Sequence, residues 1–211
     1  MIIKDLSISF LVKQNKKKDR KKHIMTITKI AVVDIETTHL ESDYGTIVEV
    51  GICELNLEDG SIIKLLDTVV REPDFNAERD ATAWVFINSN LTVQDILNAP
   101  EWIFIRPKIT EIFKKYPVTA FNKQFDLTWL KDRGVEVFLE FPDPMVESTC
   151  IIQLPSSNPN HGMYKYPSVI ECWNWYFPIT PLEHKHRAYE DCVHEAQIVY
   201  KMFTLGHINF T

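Results

Sequence analysis

Four carboxylates and one histidine in this 211-residue chain stand at spacings that could do chemistry. The stretch DIETT, Asp34 to Thr38, closes an apolar β-branched run. Side chains alternate faces along a strand, so Asp34 and Glu36 point the same way. Two adjacent acids repel, and at the end of an apolar strand that repulsion needs compensation. A divalent cation would supply it, although a D-x-E pair alone also fits a solvent-facing strand end. In FNKQFD, Asp126 sits near the start of a helix, where an acid also serves the helix dipole without any chemistry. HRAYED puts His186 just before the last helix and Asp191 on its first turn. His184 lies two residues before His186, but the H-x-H pair lacks partners at a spacing that would build a zinc site.

Periodicity reveals the elements that must position these groups. KIAVVDIE, from Lys29, reads as a strand buried on both faces, followed by the strands GTIVEVGICELNL and SIIKLLDTVV. The turn EDGS, Glu58 to Ser61, joins the last two as a hairpin, so three consecutive antiparallel strands are expected at the front. Helical spacing then takes over. Thr92 can cap VQDILNA, and PKITEIFKKY aligns Ile109, Ile112 and Phe113 on one face. YPVTAF reads as a short strand. KQFDLTWLKDRG reads as a helix closed by Gly134, with Asp126 beside a stripe formed by Phe125 and Trp129. The last helix, Ala188 to Phe203, is expected to bury Ala188, Cys192, Ala196, Val199 and Phe203. These elements predict a mixed-sheet α/β domain, and PSSNPNHGMYKYP, Pro155 to Pro167, reads as a mobile loop.

Composition narrows the function classes. A hydrophobic fraction of 45% with 25% charged residues is that of a soluble globular protein. No apolar run approaches the ~20 residues that span a bilayer, and LSISFLV precedes the lysines, the reverse of signal-peptide order. Scattered Cys53, Cys150, Cys172 and Cys192 without a CxxC pair read as reduced thiols in a cytoplasmic protein. Residues 1–24 contain eight Lys/Arg against two Asp/Glu, leaving 15 basic against 27 acidic residues in the rest. An acidic body excludes binding through a broad basic face, but not phosphate chemistry in which bound cations supply the positive charge. Residues 1–28 are read as a flexible basic extension, 29–205 as the folded domain and 206–211 as a tail.

Together DIETT, NKQFD and HRAYED resemble, in order, the three motifs of the DEDDh (DnaQ-like) 3′-5′ exonucleases, the group of polymerase proofreading subunits, ribonuclease T and oligoribonuclease. TIVEVGICEL, NLTVQDILNAP and HRAYEDCVHEAQIVYKMF extend the resemblance over Lys29 to Phe203. It implies a ribonuclease H-like mixed β-sheet with flanking α-helices, and hydrolysis of phosphodiesters from the 3′ end to release 5′-nucleoside monophosphates. The family's four acids fall on Asp34, Glu36, Asp126 and Asp191, which would bind two divalent cations, Mg²⁺ or Mn²⁺. Its general base falls on His186, whose four-residue spacing to Asp191 selects it over His184. Thr37, Leu40, Asn122 and Phe125 would hold the terminal nucleotide, with Phe125 also open to a plain core role. Implied partners are single-stranded DNA or RNA 3′ ends, with a polymerase or a second copy of the chain beside them. The pattern departs from the family at His39, Ser89, Asn90 and Phe121, around the expected substrate groove. A glycosidase using Asp34 and Glu36 would leave the other three residues without a purpose. The alternative is a catalytically silent module of the same fold that binds a nucleic-acid end or a polymerase.

Overall fold

The computed structural model describes residues 27–157, 162–182 and 186–209. The basic run and His184 lie outside the described residues. Among the described residues four strands form one sheet in the order β3-β2-β1-β4. β1 (Lys29–Thr37), β2 (Ile47–Asn56) and β3 (Ile62–Val69) are consecutive and antiparallel, while β4 (Val118–Thr119) lies parallel to β1. The mixed sheet and the front hairpin are therefore as expected, with Gly60 adopting φ +75° in the connecting turn.

β1 positions the acids through its two faces. Ala31, Val33 and Ile35 pack into a core with α4 (Trp102–Phe113) and α5 (Lys123–Asp132). Ile30 and Val32 face the opposite way, onto Cys192, Ala196 and Val199 of α8 (Ala188–Thr204). Asp34 and Glu36 continue the even-numbered face, so the strand's alternation turns both acids toward α8. Helices thus cover both faces of a strand whose apolar residues are almost wholly buried. Phe203, expected in the buried stripe of α8, is only half-buried.

Several helices differ from the sequence expectation. α4 starts at Trp102 and carries Pro107 inside it, instead of starting at that proline. Its buried residues, Trp102, Ile105, Ile109 and Phe113, recur every three or four positions, and this continuous stripe outweighs the one backbone hydrogen bond that proline removes. α3 (Val93–Leu97) is capped by Thr92 as expected, with Asp95 completing a capping box. Not anticipated were α1 (Ala77–Asp80), α2 (Trp84–Asn88), α6 (Pro144–Ile152) and α7 (Val169–Tyr176). The last two pack on Ile198 and Met202, along the α8 side of the molecule. The described parts of 155–167 form neither helix nor named strand. Cys53, Cys172 and Cys192 are buried free thiols, and Cys150 is exposed. No helix among the described residues is long and apolar enough to cross a membrane.

The start of α8 rests directly on the sheet. A Cβ at Gly51, in the middle of β2, would collide with the backbone of Ala188 and Tyr189, so only glycine permits this approach. Gly51→Ala is expected to destabilise the protein by about 1–3 kcal/mol through overpacking. A thermal or urea unfolding curve superimposable on the parent's would refute that close packing.

Candidate active site

The end of β1, the first turn of α5 and the first two turns of α8 converge on one pocket of about 330 Å³. Asp34, Glu36, Asp126, His186 and Asp191 all line it, joined by Asn122 and Phe125. Thr37 and Leu40 do not. The Thr37 hydroxyl donates to the carbonyl of His39, and Leu40 is 85% exposed and borders a separate cavity on the β1–β2 loop.

Local structure explains each placement. Asp126 is buried on α5, and its Oδ1 accepts the Ile35 N–H at 3.2 Å. That amide lies between Asp34 and Glu36, so one bond fixes the third acid against the first two. α5 begins at Asn122 in a left-handed conformation, φ +63°, without a side-chain cap of its own. Asp143 substitutes for it: its carboxylate accepts the N–H groups of Asn122 and Lys123, and also that of Met145 at the start of α6. His186 also has a left-handed backbone, φ +52°, and its ring stands edge-on to Trp84 with centroids 4.6 Å apart.

The start of α8 is held by Glu49, a buried residue of β2 paired across the ladder with Glu36. The Arg187 Nε and Nη2 groups donate to the Glu49 carboxylate at 2.5–3.0 Å, and the Ala188 N–H donates to it at 3.1 Å. Arg187 Nη1 donates to Asn90 Oδ1 at 2.7 Å, so Asn90, a departure from the family pattern, secures the same clamp. The two residues that follow His186 in the H-x-x-x-x-D motif are thereby fixed.

A fifth acid escaped the sequence reading. Glu195 is 2% exposed, lines the same pocket and accepts the Phe121 N–H at 3.2 Å. It follows Asp191 by four residues, one helical turn on the same face, and that spacing was the available signal. Glu49, Arg187 and Trp84 gave no comparable signal, because only the tertiary fold brings them to the motif.

Crowding shows in the proton affinities. Burial, followed by the charges of Glu195, Asp126, Glu36 and Asp191, holds the Asp34 carboxyl well above its ordinary range. Glu36 is pushed up to about 8 by burial and by Asp191 and Glu49, with Arg187 opposing. Burial also raises Asp126 and Glu195, each opposed by the amide it accepts from. Glu36, His186 and Asp191 offer ligand atoms within 4.8 Å of one another, a donor set that fits a divalent cation. The pocket can therefore concentrate positive charge beside a histidine.

No protein-family model matches the chain. The 3′-5′ exonuclease DinG of Staphylococcus epidermidis is 26% identical over 179 residues, covering 85% of this chain and 18% of that protein. A PolC-type DNA polymerase III of Caldanaerobacter subterraneus subsp. tengcongensis is 26% identical over 174 residues, or 81% of this chain and 11% of that protein. The chain thus spans less than a fifth of the length of these curated relatives. Among solved structures, the nuclease domain of 3′hExo, described as a DEDDh family member bound to rAMP, aligns with a TM-score of 0.63 at 12% identity over 89% of this chain and 98% of that one. The resemblance drawn from the three motifs is borne out, and the mixed sheet with flanking helices is the ribonuclease H-like fold of these neighbours.

A carboxyl with a raised folded-state pKa binds its proton more tightly in the folded than in the unfolded chain. Its stabilising effect is complete below the unfolded value and is lost as pH rises through the folded one. For Glu36 the window runs from 4.5 to about 8. In EDTA the protein is therefore expected to melt lower at pH 8 than at pH 5. Asp34→Asn, which removes one buried ionisable carboxyl, should raise the pH 8 melting temperature by about 2–4 °C per kcal/mol of repulsion relieved. A drop in melting temperature for that variant at pH 8 would show that the acids are compensated in some other way.

Proposed function

We propose that the chain is a metal-dependent 3′-5′ exonuclease that hydrolyses phosphodiesters at the 3′ end of single-stranded DNA or RNA and releases 5′-nucleoside monophosphates. The observation that carries this reading is the convergence of Asp34, Glu36, Asp126, Asp191 and His186 from three separate elements on one narrow pocket. The likeness to exonuclease sequences and folds supports it.

Asp34, Glu36, Asp126 and Asp191 would hold two Mg²⁺ or Mn²⁺ ions, Glu36 and Asp191 from beside His186 and Asp126 from the start of α5. When bound, such ions supply positive charge to the scissile phosphate and to the developing oxyanion. His186 then accepts a proton from the attacking water, whose oxygen bonds to phosphorus as the P–O3′ bond breaks. The O3′ oxygen takes up a proton from solvent, so the shortened strand leaves with a 3′-hydroxyl, and the terminal residue leaves as the monophosphate. An imidazole suits that proton transfer near neutral pH. Trp84 restrains the ring, so His186 need not be ordered anew at each turnover. Asn122 and Phe125 would position the terminal nucleotide from the pocket wall, and Thr37 and Leu40, just past the acids, are proposed as further contacts. Stacking on Phe125 tolerates any base. The PolC-type relative makes a polymerase a candidate partner.

Digestion of 5′-labelled single-stranded DNA and matching RNA with Mg²⁺, Mn²⁺ or EDTA tests this directly. Metal-dependent shortening from the 3′ end is expected, with none for Asp34→Ala or Asp191→Ala, and a rate lowered ~10²- to 10⁴-fold for His186→Ala. Intact substrate under every metal, with end-binding retained, would replace the exonuclease by the silent binding module.

A further inference from the structure

His194 stands three residues beyond Asp191 on α8, and so on the same helix face. Its Nδ1 is buried and has no hydrogen-bond partner among the described residues. That nitrogen lies 3.9 Å from Asp191 Oδ1, outside hydrogen-bond reach but directed at a buried carboxylate. From the other side, the ring of Trp173 on α7 stands edge-on to the imidazole, with centroids 5.4 Å apart and planes at 78°. The imidazole is thus backed by an aromatic wall, and its buried donor position faces a proposed cation ligand. Buried polar atoms are almost always paired, so an orphan one ångström short of a partner needs an explanation.

Carboxylates that hold a cation are commonly held in turn by a neighbouring hydrogen-bond donor, and loss of that donor typically costs ~10- to 100-fold in metal affinity. Resting on the metal-dependent reading above, we infer that His194 is a positioning residue for Asp191. Its Nδ1–H donates to Asp191 Oδ1 when that carboxylate engages a divalent cation. An approach of about 1 Å brings the pair to the usual ~2.9 Å donor distance. The bond fixes one carboxylate oxygen and presents the other toward Glu36 and His186. His194 itself touches neither water nor phosphate in this scheme.

Mn²⁺ binding to the full chain, measured by calorimetry or by loss of the free-ion paramagnetic resonance signal, tests the inference without turnover. His194→Leu keeps bulk against Trp173 but offers no donor, whereas His194→Asn places an amide N–H near the Nδ1 position. His194→Leu is expected to weaken Mn²⁺ binding ~10- to 100-fold, and His194→Asn to recover affinity to within a few-fold of the parent. Melting in EDTA should change little in either variant. A His194→Leu protein that binds Mn²⁺ like the parent would overturn the role, whatever its melting temperature. So would folded His194→Asn protein as weak as His194→Leu. Should His194→Leu fail to fold, the affinity of His194→Asn decides alone, parent-like binding supporting the donor and weak binding overturning it. No Mn²⁺ binding by the parent chain would instead bring down the metal-dependent reading itself.

Discussion

Mutual repulsion among carboxylates is the constraint around which this molecule is arranged. Asp34 and Glu36 share a strand face, Asp191 and Glu195 share a helix face, and the two faces are pressed together, with Asp126 entering from the far side of the sheet. Left alone, such a cluster would either take up protons or force its elements apart. What restrains it is the apolar packing beneath: Ile30 and Val32 against Cys192, Ala196 and Val199, a few ångströms deeper along the same strand and helix. The core of the domain thus holds together groups that would otherwise separate.

The protein's own compensation is conspicuously made with backbone amides. Ile35 N–H serves Asp126, Phe121 N–H serves Glu195, and the amides of Asn122, Lys123 and Met145 serve Asp143 nearby. The nearest arginine, Arg187, is committed to Glu49 and Asn90 and opposes the Glu36 shift without reversing it. Amides orient a carboxylate while leaving most of its negative potential available. An arginine or lysine placed inside the pocket would have stabilised the fold more and competed with any cation for the same oxygens. The clamp at Arg187 resolves this tension by placing its positive charge where it fixes the helix start and not where it would neutralise the acids.

Much of this was legible in the sequence, and the exceptions have identifiable causes. Strand alternation alone put Asp34 and Glu36 on one face, and helical spacing put Asp191 at the start of a buried stripe. The motif order then suggested that Asp126 would join them, but no local rule could bring residues 65 positions apart into one pocket. Glu195 was within reach, since it repeats Asp191 after one turn, yet a single acid in a helix reads as surface until its partners are known. α7 was equally within reach, because Ser168 and Glu171 form a capping box, but the Pro- and Asn-rich run before it drew the reading toward loop. At α4 the rule that proline starts a helix was followed where a longer apolar stripe should have prevailed. Asn90 looked like a change in the substrate groove and proved to be part of the Arg187 clamp, a distinction only coordinates make.

Charge also orders the events at the site. Outside its first 24 residues the chain carries 27 acidic against 15 basic residues, and five of those acids line the one pocket. A polyanionic strand approaching such a surface meets repulsion at long range and again at the pocket mouth. Cations experience the opposite field; burial is the first reason that Asp34, Glu36, Asp126 and Glu195 hold their protons tightly, and the neighbouring carboxylates add to it. Under the proposed function, cation binding would precede or accompany strand binding, because only a loaded pocket would offer a phosphate net attraction. On this view the acidity of the body is compatible with nucleic-acid chemistry, and under the proposed function affinity for a strand end would depend on bound cations.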